Sequence, residues 1–184
     1  FYTVPGRVKG KAPMITISVS CFVPKPFTAF QWEGQDTLEE LVDKQNHLRD
    51  CVRGEKHIRY NWHEAKVSRI EAVFARGDRK LSRALLEAHR MGLKFDGWDE
   101  FFDYDKWLEA FRLAGVDPAF YANRDFGLDE VLPWDVIDCG VTKEFFRRER
   151  EKAYCSKTTP NCREHCSGCG ANRLGGERTC CPHQ

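Results

Sequence analysis

A chain of 184 residues, 41% hydrophobic and 31% charged, has the make-up of a globular domain with appendages. Its formal net charge of +1 creates no global field toward nucleic acid or anionic lipid, and no apolar run is long enough to span a bilayer. Nine cysteines are present, and Cys155, Cys162, Cys166, Cys169, Cys180 and Cys181 crowd the C-terminal end. A secreted disulfide scaffold would spread them through a chain lacking a core; here the expected setting is reducing cytoplasm with a terminal metal site. The chain opens on Phe1 and a loop-like "FYTVPGRVKGK", so we expect a fragment whose N-terminal portion is missing.

In chain order, "MITISVSCFV" (14–23) alternates. Ile15, Ile17, Val19, Cys21 and Val23 share one face, and Thr16, Ser18, Ser20 and Phe22 the other, which predicts a strand. "PKP" ends it, because proline cannot continue a central ladder. Thr37 and Glu40 form a capping-box pair ahead of a helical stripe of Leu38, Leu41, Val42, Gln45, Leu48 and Val52. "HIRYNWH" (57–63) alternates again, and strand, helix, strand is the unit of a parallel sheet. Beyond Glu64 the pattern turns helical. Val67, Ile70, Val73 and Phe74 share a face up to Gly77, and Asp78 is placed to cap a helix whose Leu81, Leu85 and Ala88 face inward until Gly92. "FDGW" (95–98) is a turn with two aromatics. Trp107, Leu108 and Phe111 define a helix ending at Gly115, and Asp117-Pro118 start a short one. "LPWDVIDCG" (132–140) is an apolar docking segment, and "TKEFFRREREKA" (142–153) a charged helix with a solvated face.

The strongest motif is "NCREHCSGCG" (161–170), which spaces Cys162, Cys166 and Cys169 as C-x3-C-x2-C. Three thiolates within eight residues suit one soft metal centre, zinc or iron–sulfur, and the Gly-containing turn lets the chain wrap it. Cys180 is the expected fourth ligand, since Gly170, Gly175 and Gly176 permit the chain to reverse; Cys155 is the alternative. His63–Glu64 lacks the second histidine of a zinc-protease motif, because position 67 is Val67. Arg76-Gly77-Asp78 is read as helix stop followed by helix cap. Trp98, Phe101, Phe102, Tyr104 and Trp107 are expected in the core, because no basic field surrounds them as a nucleic-acid stacking platform would need. Lys25, between two prolines at the end of the first strand, is a candidate site residue, because α/β folds place sites there.

"SVSCFVPKPFTAFQWEG", "EAVFARGDRKLSRALLEAHRMGLKFDGWDEFFDYDKWLEAF" and "LPWDVIDCGVTKEFFRRERE" resemble the C-terminal part of a family of radical S-adenosylmethionine (radical SAM) proteins of the cobalamin-binding type. The resemblance runs from the first strand to the cysteine tail; Ala29 stands where the family's phrase usually has proline. It implies an α/β fold: the closing strand-helix-strand of a partial (β/α) barrel over 1–63, a helical extension over 64–153 and a Cys-rich tail over 154–184. Thr16, Ser18 and Ser20 would then line the barrel lumen, with Lys25 at its mouth. S-adenosylmethionine and the catalytic [4Fe–4S] cluster would be held mainly by an upstream portion, and cobalamin is a further candidate cofactor. Residues 162–169 copy the spacing of the catalytic motif but follow every strand, so an auxiliary or structural metal is expected there. The implied partners are the upstream barrel and an unknown substrate. The rival class is a non-enzymatic metal-stabilised interaction or RNA-binding module, the net charge giving no support to RNA as the partner.

Overall fold

The computed structural model describes residues 13–173 together with Gly6 and Gly10. Two parallel strands and six helices make a mixed α/β fold that is mostly helical, with no closed barrel among the described residues. The order is β1 (Ile15–Val19), α1 (Leu38–Cys51), β2 (Ile58–Trp62), α2 (Ala65–Ala75), α3 (Leu81–Arg90), α4 (Tyr104–Ala114), α5 (Pro118–Ala122) and α6 (Lys143–Tyr154), followed by a 3-10 turn at Ala171–Arg173.

Strands β1 and β2 pair in parallel, Ile15 opposite Ile58 and Val19 opposite Trp62, as the strand-helix-strand pattern predicts. The ladder stops at Val19, short of the alternation that runs to Val23, because residues 20–23 turn away toward the buried Pro24. The capping box of α1 is present in full: Glu40 N–H donates to Thr37 Oγ1 at 3.3 Å, and Thr37 N–H to Glu40 Oε2 at 2.8 Å. Of its stripe, Leu41 and Gln45 are buried, while Val42 and Leu48 are exposed.

The main core lies between α2, α3, α4 and α5, around Ile70, Val73, Leu81, Trp107, Phe111 and Tyr121. On α3 the inward residue is Ala84, and Leu85 is half exposed. The helix starts at Leu81, so the inward positions 81, 84 and 88 follow the i, i+3, i+7 spacing that small residues satisfy where α4 approaches closely. Asp78 does not cap α3. Its Oδ1 accepts Lys80 N–H at 2.8 Å and Tyr121 O–H at 3.0 Å, holding the turn ahead of the helix. A Cβ at Gly77 would run into the Leu81 side chain, which would have to shift to admit one. The Asp103 and Asp117 caps and the left-handed Gly115 stop form as the sequence predicts.

A second, smaller cluster joins Trp32, Phe126, Leu132 and Trp134. The docking role expected of 132–140 falls to its first part: Leu132 and Trp134 are buried, and Trp134 Nε1–H donates to the buried Gln31 at 2.7 Å, while Val136 and Ile137 are exposed. Helix α6 is not simply solvated on its charged face. Arg150 donates to Glu33 at 2.5 Å, Arg147 to Asp129 at 2.8 Å and Lys143 to Asp135 at 2.7 Å, so its cations fasten the preceding loops.

Candidate functional site

The C-terminal ends of the two strands open onto a polar junction. The chain leaves β1 through Cys21 and Phe22, leaves β2 through His63, and enters α2 at Ala65. Buried Gln45 on α1 ties these exits together, donating to His63 O at 2.8 Å and lying 3.3 Å from Cys21 Sγ. Gln35, also buried, donates to Phe22 O at 2.9 Å and to Ser68 O at 3.2 Å. His63 Nδ1 is 2.7 Å from the hydroxyl of Ser68, which is fully buried. Beside this junction an apolar groove of about 610 Å³ runs between the end of β1 and α1, with Val19, Phe22, Leu41 and Leu48 among its walls.

Thr16, Ser18 and Ser20 are all exposed, the first two on an uncovered face of β1 and Ser20 just past its end. Lys25 stands at the mouth of the strands, half exposed, in an ion pair with Glu71 of α2. Its backbone carbonyl accepts the Thr28 hydroxyl at 2.8 Å, so the loop bends over it, and Phe27 takes a left-handed φ of 57°. Thus Lys25 is oriented by a carboxylate on the helical body, while Thr16 and Ser18 look outward from the strand.

Reasoning from sequence missed Arg76. It is fully buried, and its guanidinium donates to the carbonyls of Tyr121 (2.5 Å), Ala122 (2.9 Å) and Arg124 (2.6 Å) at the end of α5. The Phe126 ring lies 4.2 Å from its Cζ. Burial, and next the neighbouring Arg124 charge, pull its pKa down to about 10, so it stays cationic at neutral pH. Arg76 continues the i, i+4 row of Ser68 and Ala72 on the buried face of α2, but two such small residues give no apolar signal in the sequence that this row points inward. Arg124 in turn forms a fork on Glu130, at 2.7 and 3.1 Å. Glu130 is held below the usual carboxylate range, first by that bond.

In the tail, Cys162 is exposed and Cys166 and Cys169 are half-buried; Cys180 lies outside the described residues. Among the described residues no three His, Cys, Asp or Glu side chains are gathered where they could hold a metal ion. The turn itself has features that suit a thiolate. Gly168 and Gly170 are left-handed, at φ 67° and 97°, and Ala171 N–H points at Cys169 Sγ at 3.5 Å. The turn also docks on the first half of α6, with the N-cap Thr142 N–H donating to Cys169 O at 2.9 Å and Arg148 to Ser167 O at 3.0 Å.

The aromatic group expected in the core divides. Trp107 is buried, but Trp98 and Phe101 are 59% and 52% exposed, because the turn before α4 lies outside the helix-helix contact. No helix among the described residues is long and apolar enough to cross a membrane. Comparison of the chain with protein-family models, with curated proteins and with solved structures finds no match in any of the three.

Proposed function

We propose that this chain is the C-terminal segment of a cytoplasmic radical SAM iron–sulfur enzyme, closing the barrel whose upstream part holds the catalytic cluster and S-adenosylmethionine. The observation that carries this reading is the bare parallel pair. Parallel strands occur almost only in sheets covered on both faces, and a two-stranded sheet has too little core to stand alone. Among the described residues β1 has one neighbour, with a hydroxyl-bearing face open to solvent and Ile15 43% exposed, so it has the form of a strand awaiting others. The resemblance carried by "SVSCFVPKPFTAFQWEG" supplies the chemistry.

On this reading the cluster, when bound upstream, supplies the electron that cleaves S-adenosylmethionine for radical C–H or methyl-transfer chemistry, with cobalamin a further candidate cofactor. The part of this chain is to bind and orient. Thr16, Ser18 and Ser20 offer hydroxyls to a polar lumen, and Lys25, steered by Glu71, offers a cation at its mouth. The tail cysteines Cys162, Cys166 and Cys169, with Cys180, would hold zinc or an auxiliary cluster.

The test uses the intact reading frame, purified anaerobically and given S-adenosylmethionine and dithionite. Formation of 5′-deoxyadenosine is expected, with none from residues 1–184 alone. A reading frame without a cysteine triplet upstream of Phe1, or no 5′-deoxyadenosine from iron-loaded protein, overturns the proposal.

A further inference from the structure

The loop between α3 and α4 carries three aromatic side chains that the fold leaves in water: Phe95 is 63% exposed, Trp98 59% and Phe101 52%. They are held as a unit. Phe95 packs edge-to-face on Trp98 with ring centroids 5.9 Å apart, and lies 5.9 Å from Phe101. Successive tight turns fix the backbone beneath them, Trp98 N–H donating to Phe95 O at 2.9 Å and Phe101 N–H to Trp98 O at 3.0 Å. Phe95 itself sits at φ 61°, a left-handed conformation that costs a bulky residue energy. Exposed aromatics and local strain in one short loop are the marks of a contact surface.

Charge decides what that surface takes. Residues 94–106 hold five carboxylates (Asp96, Asp99, Glu100, Asp103 and Asp105) against Lys94 and Lys106, in a chain whose net charge is +1. Asp103 is already engaged, capping α4 and pairing with Lys106 at 3.4 Å. Asp99, Glu100 and Asp105 have no ion pair among the described residues. Phe95, Phe101 and Glu100 also line a cleft of about 820 Å³ that reaches Glu64 at the start of α2. Nucleic acid, whose bases would suit the rings, is repelled by these carboxylates. A basic segment is attracted by both features, since lysine and arginine bind carboxylates and also lie over aromatic faces.

We infer that the Phe95–Trp98–Phe101 ridge is a docking surface for a basic, amphipathic peptide segment of a partner protein. The rings take its apolar side chains, and Asp99, Glu100 and Asp105 take its lysines or arginines. The assignment is independent of the radical SAM reading, because no residue of the strand pair or the tail takes part.

The experiment titrates the whole chain against a fluorescein-labelled 12-residue peptide of alternating lysine and leucine, followed by anisotropy. A lysine–serine peptide of equal charge and a labelled 12-mer oligouridylate serve as contrasting probes. Saturable binding of the lysine–leucine peptide is expected, at least ten-fold tighter than the lysine–serine peptide and than the oligouridylate. The Trp98→Ala/Phe101→Ala and Asp99→Lys/Glu100→Lys variants should each weaken it at least ten-fold. These positions are exposed, so both variants should keep the parent's circular dichroism and melting temperature; if one melts early, Glu100→Gln alone, expected to weaken binding about three-fold, is the deciding variant. Equal binding of the two peptides, tighter binding of oligouridylate, or unchanged affinity in the variants overturns the inference. So does self-association of the chain abolished by Trp98→Ala, which would make a second copy the occupant.

Discussion

The strand-helix-strand head and the helical body are built on opposite terms. In the head, β1 and β2 pair with no further strand among the described residues, α1 buries just Leu41 and Gln45, and Met14, Ile15, Leu48 and Trp62 stay substantially exposed. In the body, Val73, Ala84, Ala110 and Phe111 are fully buried, and Phe74, Trp107 and Phe111 pack ring against ring. The body encloses a continuous core, even though Leu85, Leu113, Phe120 and the Phe95–Trp98–Phe101 loop stay on its surface, while the head encloses little beyond Leu41 and Gln45. The two meet at Gln35, whose amide joins Phe22 O of the head to Ser68 O of α2, while Gln45 ties segments together within the head and Arg76 within the body. The lesson is that a sequence can encode sound strands and helices in a region that gathers little apolar core of its own.

The sharpest way to break this contrast is truncation on each side. Phe111→Ala should cost the body about 3–5 kcal/mol by opening a cavity under Trp107, whereas Ile15→Ala in the head should cost under about 1 kcal/mol. Urea unfolding followed by tryptophan fluorescence compares the two, and equal losses would erase the distinction. Arg76→Met comes next. It leaves the Tyr121 and Arg124 carbonyls without their Arg76 donor, while Ala122 O keeps Gln35 N–H at 2.7 Å, for an expected loss of about 2–3 kcal/mol, against under about 0.5 kcal/mol for the exposed Arg90→Ala. Gly34→Ala should cost about 2 kcal/mol, because a Cβ there runs into the Asn123 backbone and prises the loop from α5, a loss a melting curve would register.

Smaller effects sharpen the picture. In metal analysis of anaerobically purified protein, Cys162→Ser should lower the zinc or iron content; parent-like content in the variant would remove Cys162 from the ligand set. The smallest concerns pH. Glu130 has a folded pKa below its unfolded value, so its contribution is fully present above the ordinary carboxylate range and is lost as pH falls through the lowered value. Its side chain is 35% exposed, so the expected effect is under about 1 kcal/mol. A Glu130→Gln variant should flatten the acid limb of the stability-pH curve by that amount, and an unchanged limb would show that the Arg124 fork carries no weight.

The capped helices were readable because their signals are local. Thr37 with Glu40, Asp103, Asp117-Pro118 and Gly115 each satisfy backbone groups within four residues, so no distant contact needs to be known. The strand pair was readable for a similar reason, since alternation on either side of one amphipathic helix implies parallel pairing. The outward turn of Leu85 and the exposure of Trp98 and Phe101 were not readable. Hydrophobicity says only that a side chain gains by burial, and which face meets a neighbour depends on how α3 and α4 approach.

The candidate site divides along the same line. The cysteine spacing and the lysine between two prolines are visible as strings of residues, and so is the phrase "FVPKPFTAFQW" that supports the proposed chemistry. The partnership of Lys25 with Glu71, forty-six positions away, is not visible in that way, and neither is the conversion of Arg76 from a helix-end residue into the donor for three carbonyls. By itself the sequence determined where helices begin and end and how the strands alternate, because those are governed by hydrogen bonds and sterics over a few residues. Only the tertiary structure decided which polar groups are buried and which aromatics face water, because desolvation depends on everything that packs around a residue and not on its neighbours in the chain.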